Sequence, residues 1–522
     1  MDGVSQSPEA MESAVQFDEA GSRSRLRINV IANYLGRGWA TAISLFCLPL
    51  YLLLLGSEAY GLIGAYVVVQ AWVVLLDFGL TPTLNREIAR TRAGIRSWQS
   101  FSSLVRSAEL LVISLATIIA LIVHLAAPLL ATEWLKPQQL SSQTVADAIS
   151  IMGVLAAARW IEWIYRGAIQ GSEDQVWLNL VQAGAETARW IGGLLLIGCV
   201  DANVLLIFAW NLFVSIVLAA ILRWRVVTTL RRHTPQRARV SWSELREIRG
   251  FAGGMFMSSV LIFLLTQADK LVVGAQVPLA DFGVYALAAT AAAGLTQLVQ
   301  PMSVAVLPRF TTLVASNRRA DLVSAFHAAS EWLCAILLPL ALLIIILPER
   351  TLLAWTGQPT VAAVGAPILS LLMLASLLNL MTNIPYMLQL AHGWTSLTNK
   401  VNGVAILLLL PLLIWTTKAY ASVGAAAALA GVNLIVLIVM PCLVIPRLLP
   451  GELFRWFGRS VLVPSVLGAA VALGLRLMMP TVNDRIGAIV QLGISGVAVT
   501  FVVLVSLRHP RYSVFAYLRS RW

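Results

Sequence analysis

Runs of about twenty apolar residues, separated by short polar turns, recur along almost the whole chain, and at 1.5 Å per residue each is long enough to cross a bilayer as a helix. The first two cover about Asn29–Leu55 and Tyr60–Thr81, and others follow at 104–130, 147–170, 175–199 and 203–223. After a basic stretch from Arg223 to Arg249 the runs resume at 251–277, 281–307, 326–348, 364–391, 396–416, 421–446, 458–479 and 486–507. The pattern predicts an all-α fold, a polytopic membrane bundle of about fourteen transmembrane helices. Its natural division is a disordered cytoplasmic tail (1–22), a six-helix lobe (23–223), a basic cytoplasmic connector (224–249), a second six-helix lobe (250–446), and two additional helices with a tail (447–522). The runs at 147–170 and 175–199 are the least regular, because each carries several charges.

The turns set the orientation. Segments expected inside hold Arg86, Arg90, Arg92 and Arg96, the cluster 223–249, Arg309, Arg318 and Arg319, and Arg447, Arg455 and Arg459. Segments expected outside hold only Lys136, Arg350, Lys418 and Arg485. This alternation predicts an even number of crossings with both termini cytoplasmic. It also explains the net charge of +12 without nucleic acid, since the basic residues follow the turns and form no single patch. Only 12% of residues are charged and 59% are hydrophobic, against about one quarter charged in a soluble domain. Residues 1–22 lack the basic region and cleavage site of a signal peptide. Cys47, Cys199, Cys334 and Cys442 are widely separated in apolar runs, where packing is the expected role and metal binding is not.

Glu58-Ala59-Tyr60-Gly61 joins the first two spans, and Ala280-Asp281-Phe282-Gly283 joins the seventh and eighth. Each turn places an acidic residue before an aromatic–glycine pair, and each hairpin ends inside at an arginine, Arg86 or Arg309. The reading is two parallel six-span repeats, with a chance match between amphipathic turns as the alternative.

Charges inside the spans are the candidate chemistry, because a cation at the bilayer centre costs about 3 kcal/mol on insertion scales. Arg37 lies in the first span, roughly 12 Å deep at 1.5 Å per residue. Arg159, Glu162 and Arg166 share one face of the fourth span, and Gln182, Glu186 and Arg189 share one face of the fifth. They read either as an ion-pair ladder between two helices or as the polar wall of a cavity, and both can hold at once. Lys270 follows Asp269 in the seventh span, where snorkelling to the outer interface is the plain alternative. A local ion pair accounts for Arg106 and Glu109, and a hydrogen-bonded core position for His124. Arg37, Arg159, Arg166, Arg189 and Lys270 thus make a candidate cationic route for a ligand with an anionic head such as a diphosphate, whose oxygens arginine matches with paired donors. Asp77, Glu162, Glu186 and Asp269 are the candidates for gating or coupling. No catalytic group, metal site or cofactor is expected. The outer loops are too short to house an active site, and no glycine-rich phosphate loop suggests ATP drive.

Pro49-Leu50-Tyr51, Leu55-Gly56-Ser57-Glu58-Ala59-Tyr60-Gly61, Leu76-Asp77-Phe78-Gly79-Leu80 and Arg86-Glu87 together resemble the start of a Wzx-type polysaccharide flippase of the multidrug/oligosaccharidyl-lipid/polysaccharide exporter superfamily. The span count and two-half organisation resemble that superfamily as well. The resemblance implies two lobes around a central cavity and alternating access. It implies transport of an undecaprenyl-diphosphate-linked oligosaccharide, as for O-antigen, across the cell inner membrane. The implied partners are that lipid-linked oligosaccharide, membrane lipids and a coupling ion, H+ or Na+, with drive by membrane potential left open. A monomer working beside polysaccharide polymerase machinery is expected. Arg37 fits a first-span cavity arginine of such proteins; Arg159, Arg189 and Lys270 match no family motif. A cation-coupled drug or other lipid exporter of the same superfamily is the alternative, and a membrane glycosyltransferase a more distant one.

Overall fold

The computed structural model describes residues 8–510 apart from 78, 93, 173, 201–202, 235–238, 395 and 483. Among the described residues the chain is helical and has no strand. Ten helical stretches are long and apolar enough to cross a membrane. Two of them contain a sharp break. Helix α1 (Pro8–Leu76) breaks at Gly56 (φ 84°, ψ 171°), between the first two expected spans. Gly56 adopts this positive φ without the Cβ clash that other residues meet. The eleventh and twelfth expected spans are joined in the same way within Ser396–Leu448, which breaks at Tyr420 and Ala421. There Gly424 lets the second segment return past the first, since a Cβ on it would lie 2.0 Å from the Thr416 carbonyl oxygen.

The charged fifth span is helical too. From the end of the second span through the fifth, the chain runs as α2 (Leu80–Arg92), α3 (Trp98–Leu129), α4 (Ser142–Gly171), α5 (Gln175–Thr187), a π-helical turn (Ala188–Gly192) and α6 (Gly193–Cys199). Helices α7 (Val204–His233) and α8 (Trp242–Gln276) reach into the basic connector from both sides. The chain is a multi-pass membrane protein.

The fold divides into two compact units, residues 1–47, 72–125 and 150–259 in the first and 48–71, 126–149 and 260–522 in the second. The first unit is riveted by ion pairs. Glu109 on α3 accepts from Arg223 on α7 at 2.6 Å, from the Tyr165 hydroxyl on α4 at 2.7 Å and from Arg106 at 2.6 Å. The expected local pair with Arg106 is therefore one arm of a three-helix junction. Arg225 on α7 binds Asp174 at 2.6 Å and lies 5.1 Å above the Trp177 ring. Buried Glu87 on α2 accepts from Arg96 at 2.8 Å, and Arg96 also pairs with Glu244 at the start of α8. His124 does bond Ser150, at 3.0 Å, but on an exposed face. Of the four cysteines, Cys47 and Cys334 are buried as expected, whereas Cys199 and Cys442 are exposed on apolar helices.

In the second unit, α9 (Leu279–Ala315), α10 (Arg319–Ile346), α11 (Pro348–Thr356), α12 (Pro359–Met381) and α13 (Asn383–Ala391) are followed by α14 (Ser396–Leu448). The short α15 (Leu453–Arg455), α16 (Val463–Met478) and α17 (Arg485–Ser506) complete it. Helix α12 packs on α14 and α9, and α10 on α16 and α17, around fully buried Phe282, Tyr285, Phe326 and Leu338. This unit also brings the two repeated turns together. A Cβ on Gly283 would stand 2.2 Å from the Ser57 carbonyl oxygen, and one on Gly61 would stand 2.4 Å from that of Leu279. Each turn uses its glycine to admit the backbone of the other. The acidic residues differ in role. Glu58 is buried and accepts backbone N–H groups of Gln138, Gln139 (2.7 Å) and Leu140, which fixes the loop between the third and fourth expected spans. Asp281 sits in the first turn of α9, where a negative charge complements the helix dipole.

Two predictions follow from this packing. Gly283→Ala should destabilise the protein by about 1–3 kcal/mol through overpacking, whereas Gly294→Ala, with open space around it, should not. Thermal unfolding in detergent compares them, and equal melting temperatures would refute the close-packed seam. The second concerns Glu87. Burial raises its pKa, but the hydrogen bonds and charges of Arg96 and Arg90 outweigh burial and hold the carboxyl below its usual value. A depressed carboxylate contributes stability that is complete above the unfolded value, near pH 4.3 or roughly so, and is lost as pH falls through the folded value. The Tm advantage of the native protein over Glu87→Gln should therefore be flat from pH 7 to about 5 and shrink only in stronger acid; a gap that widens on acidification would contradict the assignment.

Candidate functional site

The charged faces of α4 and α5 meet around Arg189. Its side chain is 3% exposed. One terminal nitrogen donates to Glu186 Oε1 at 2.6 Å, and the other to Glu162 Oε1 at 3.1 Å and Ser215 Oγ at 3.0 Å. Arg159 lies 3.8 Å from the same Glu186 oxygen. An unpaired guanidinium at this depth would be expensive, so two carboxylates and a hydroxyl surround it. The ladder between the fourth and fifth spans is therefore present, and a cavity reaches it. This cavity, of about 300 Å³, is lined by Arg159, Arg166 and Arg189, by Glu162 and Glu186, and by amides including Asn179 and Gln182. Three guanidinium groups face two carboxylates, which leaves an excess of positive charge among the lining side chains.

Local backbone places Arg189. It occupies the π-helical turn Ala188–Gly192, whose extra residue shifts the register of the helix by one position. The Trp210 indole N–H donates to the Ala188 carbonyl at 2.8 Å, and Gly192 leaves room for that ring, since a Cβ there would lie 2.7 Å from it. Ser215 and this π turn are the parts of the site that helical spacing could not reveal. The Gly192-Gly193 pair in the fifth span was the available signal. On α1, Gly36 and Ala40 line the cavity, and Gly36 lets Asn179 approach, with Asn179 Oδ1 2.8 Å from where a Cβ would stand. Arg37 lies between them in the helix, and its side chain is outside the described residues.

The remaining candidates are placed elsewhere. Asp77 is buried and accepts from the Thr81 N–H at 3.0 Å and hydroxyl at 2.9 Å, a cap at the start of α2. Lys270 and Asp269 line a cavity of the second unit. Among the described residues no cluster of His, Cys, Asp and Glu is arranged to hold a metal.

The sequence profile of the polysaccharide biosynthesis protein family matches residues 26–314, more than half of the chain. The chain belongs to the polysaccharide biosynthesis protein family. Its fold is also that of solved transporters. A lipid II flippase, MurJ, in an inward closed conformation is 14% identical, with a TM-score of 0.70 over 91% of this chain and 97% of that one. An inward-facing multidrug resistance MATE transporter of the MOP superfamily is 15% identical, with a TM-score of 0.62 over 76% of this chain and 92% of that one. A MOP superfamily transporter from Pyrococcus furiosus, whose binding pocket is described as reversed in polarity, is 14% identical, with a TM-score of 0.51 over 82% and 96%. At these identities the likeness establishes the fold. No functionally curated protein sequence matches the chain. The family match includes every residue lining the Arg189 cavity.

If Arg189 is held mainly by its carboxylates, Arg189→Met should cost about 3–5 kcal/mol, because Glu162 is left buried beside an apolar side chain. Adding Glu162→Gln should restore part of that loss. Equilibrium unfolding in mixed micelles provides the cycle, and strictly additive effects would show that the two groups are not coupled.

Proposed function

We propose that this protein is a flippase that moves an undecaprenyl-diphosphate-linked oligosaccharide from the inner to the outer leaflet of the bacterial cytoplasmic membrane by alternating access, with both termini in the cytoplasm. The observation that carries this reading is the Arg159–Arg166–Arg189 cavity. Its excess positive charge suits an anionic head, and in a low dielectric each arginine–phosphate contact is strengthened. A diphosphate bears its charge whatever glycan is attached, so such a site serves the part of the substrate that does not vary. Membership of a polysaccharide biosynthesis family supports the glycan, and the flippase and exporter folds support the movement. Glu162 and Glu186 hold the arginines in place and are the acidic groups best positioned to couple an ion to that movement. A drug exporter for cations would need the opposite excess of charge.

The experiment is surface glycan in a flippase-deleted strain complemented with variants at matched expression. Arg166→Ala and Arg37→Ala should reduce export by tenfold or more, on the order of one lost charged contact. Arg166→Lys should retain part of the activity, since it keeps the charge but loses the planar fork. Arg318→Ala breaks an exposed pair with Asp321 and should leave export unchanged. Full export by Arg166→Ala and Arg37→Ala together would remove the diphosphate reading of the cavity.

A further inference from the structure

At one end of the second unit three arginines surround the short helix α11, and two of them, Arg350 and Arg485, lie in segments expected outside. Each donates to backbone carbonyls. Arg476, near the end of α16, reaches the Ile346 carbonyl at 3.1 Å, and Arg485, at the start of α17, reaches the Ala354 carbonyl at 3.0 Å. Those carbonyls belong to the last turns of α10 and α11, where helical partners run out, so capping accounts for the position of both side chains. Capping uses one or two of the five N–H groups of a guanidinium and leaves its charge uncompensated. Arg350 is held less well. It is half-buried, and its contacts are to the Met479 carbonyl at 3.4 Å, the Pro480 carbonyl at 3.5 Å and the Met479 sulfur at 3.9 Å, all longer than an ordinary hydrogen bond. Among the described residues no carboxylate oxygen lies within 4.0 Å of any of the three guanidinium groups. The acids in this region are placed otherwise. Asp484 caps α17 by accepting from the Gly487 N–H at 2.7 Å, and Glu349 is exposed in the first turn of α11. Burial and the neighbouring Arg476 charge lower the pKa of Arg350, and together they outweigh Glu349, which raises it.

From this arrangement we propose that Arg350 and Arg476, with Arg485 beside them, bind the phosphate of an acidic membrane phospholipid. The site depends on the chain crossing a membrane, and neither on the flippase reading nor on the Arg189 cavity. Like charges held near one another without a carboxylate repel, and an anion shared between them replaces that repulsion with attraction. The planar fork of arginine matches two oxygens of a phosphate. The surroundings select a lipid over a soluble phosphate. Leu477 and Met478 directly follow Arg476, Ile486 directly follows Arg485, and all three are exposed. Acyl chains can cover them while the phosphate meets the guanidinium groups. Charge selects the acidic lipid. Three arginines stand against Glu349 and Asp484, an excess of one positive charge. A phosphodiester with an uncharged head matches that excess, whereas the cationic head of a zwitterionic lipid would meet the guanidinium groups.

The test is calorimetric titration of the purified full-length protein in dodecyl maltoside with short-chain phosphatidylglycerol, with short-chain phosphatidylcholine and with inorganic phosphate. The native protein should bind phosphatidylglycerol at least about tenfold more tightly than either of the others. Arg350→Gln and Arg476→Gln should each weaken phosphatidylglycerol by about tenfold, and Arg350→Lys, which keeps the charge but loses the fork, by less. Arg318→Gln, in an exposed pair with Asp321, is the control for non-specific charge effects and should bind as the native protein does. Thermal unfolding verifies that each variant is folded, and phosphatidylglycerol should raise the melting temperature of the native protein more than that of Arg350→Gln. If Arg350→Gln does not fold, Arg476→Gln carries the comparison, since its side chain is exposed. Equal affinity for the two lipids, or native phosphatidylglycerol binding by the folded glutamine variants, would overturn the proposal and leave the arginines as helix caps. Inorganic phosphate bound as tightly as phosphatidylglycerol would overturn the lipid assignment in favour of a soluble anion.

Discussion

The buried guanidinium of Arg189 must be neutralised, and the arrangement of the first unit's polar interior satisfies that need. Hydrocarbon offers a cation nothing, so Glu162, Glu186 and Ser215 converge on it from three helices. Once those carboxylates are present they require the second cation, and Arg159 stands beside Glu186. The polar groups cannot all face lipid, so the helices that carry them turn the charges toward one another and leave a cavity between. Three arginines and two glutamates line that cavity.

The same logic recurs farther along the helices of this unit. Glu109 gathers α3, α4 and α7, Asp174 ties α5 to α7, and Glu87 and Glu244 share Arg96. Apolar helices in lipid gain little from burying one another, because the tails are as apolar as leucine, so polar contacts and close backbone approach carry much of the association. The second unit uses the other means more heavily. Gly61 and Gly283 bring two turns of related sequence into backbone contact, and small alanines on α9 open a cavity among otherwise apolar helices.

The cavities of the two units carry different kinds of cation. Arginine in the first unit offers fixed, paired donors, and lysine in the second offers a single mobile charge among neutral amides.

What the sequence by itself determined is whatever depends on neighbours along the chain. Spans, breaks and the membrane class follow from run length, and the facing of Arg159 with Glu162 and Arg166, or of Glu186 with Arg189, follows from helical spacing. The similarity of the turns at Glu58 and Ala280 was equally legible. What only the tertiary structure decided depends on residues far apart in sequence. That Glu109 serves Arg223 and Tyr165, and that Ser215 completes the Arg189 shell, are matters of which helices adjoin. The π turn at Ala188 escapes a periodic reading because one extra residue per turn changes where every later side chain points. Composition requires that intramembrane charges be paired, but the partner of each is fixed by packing, because many pairings satisfy the same local pattern and only one satisfies the shared space.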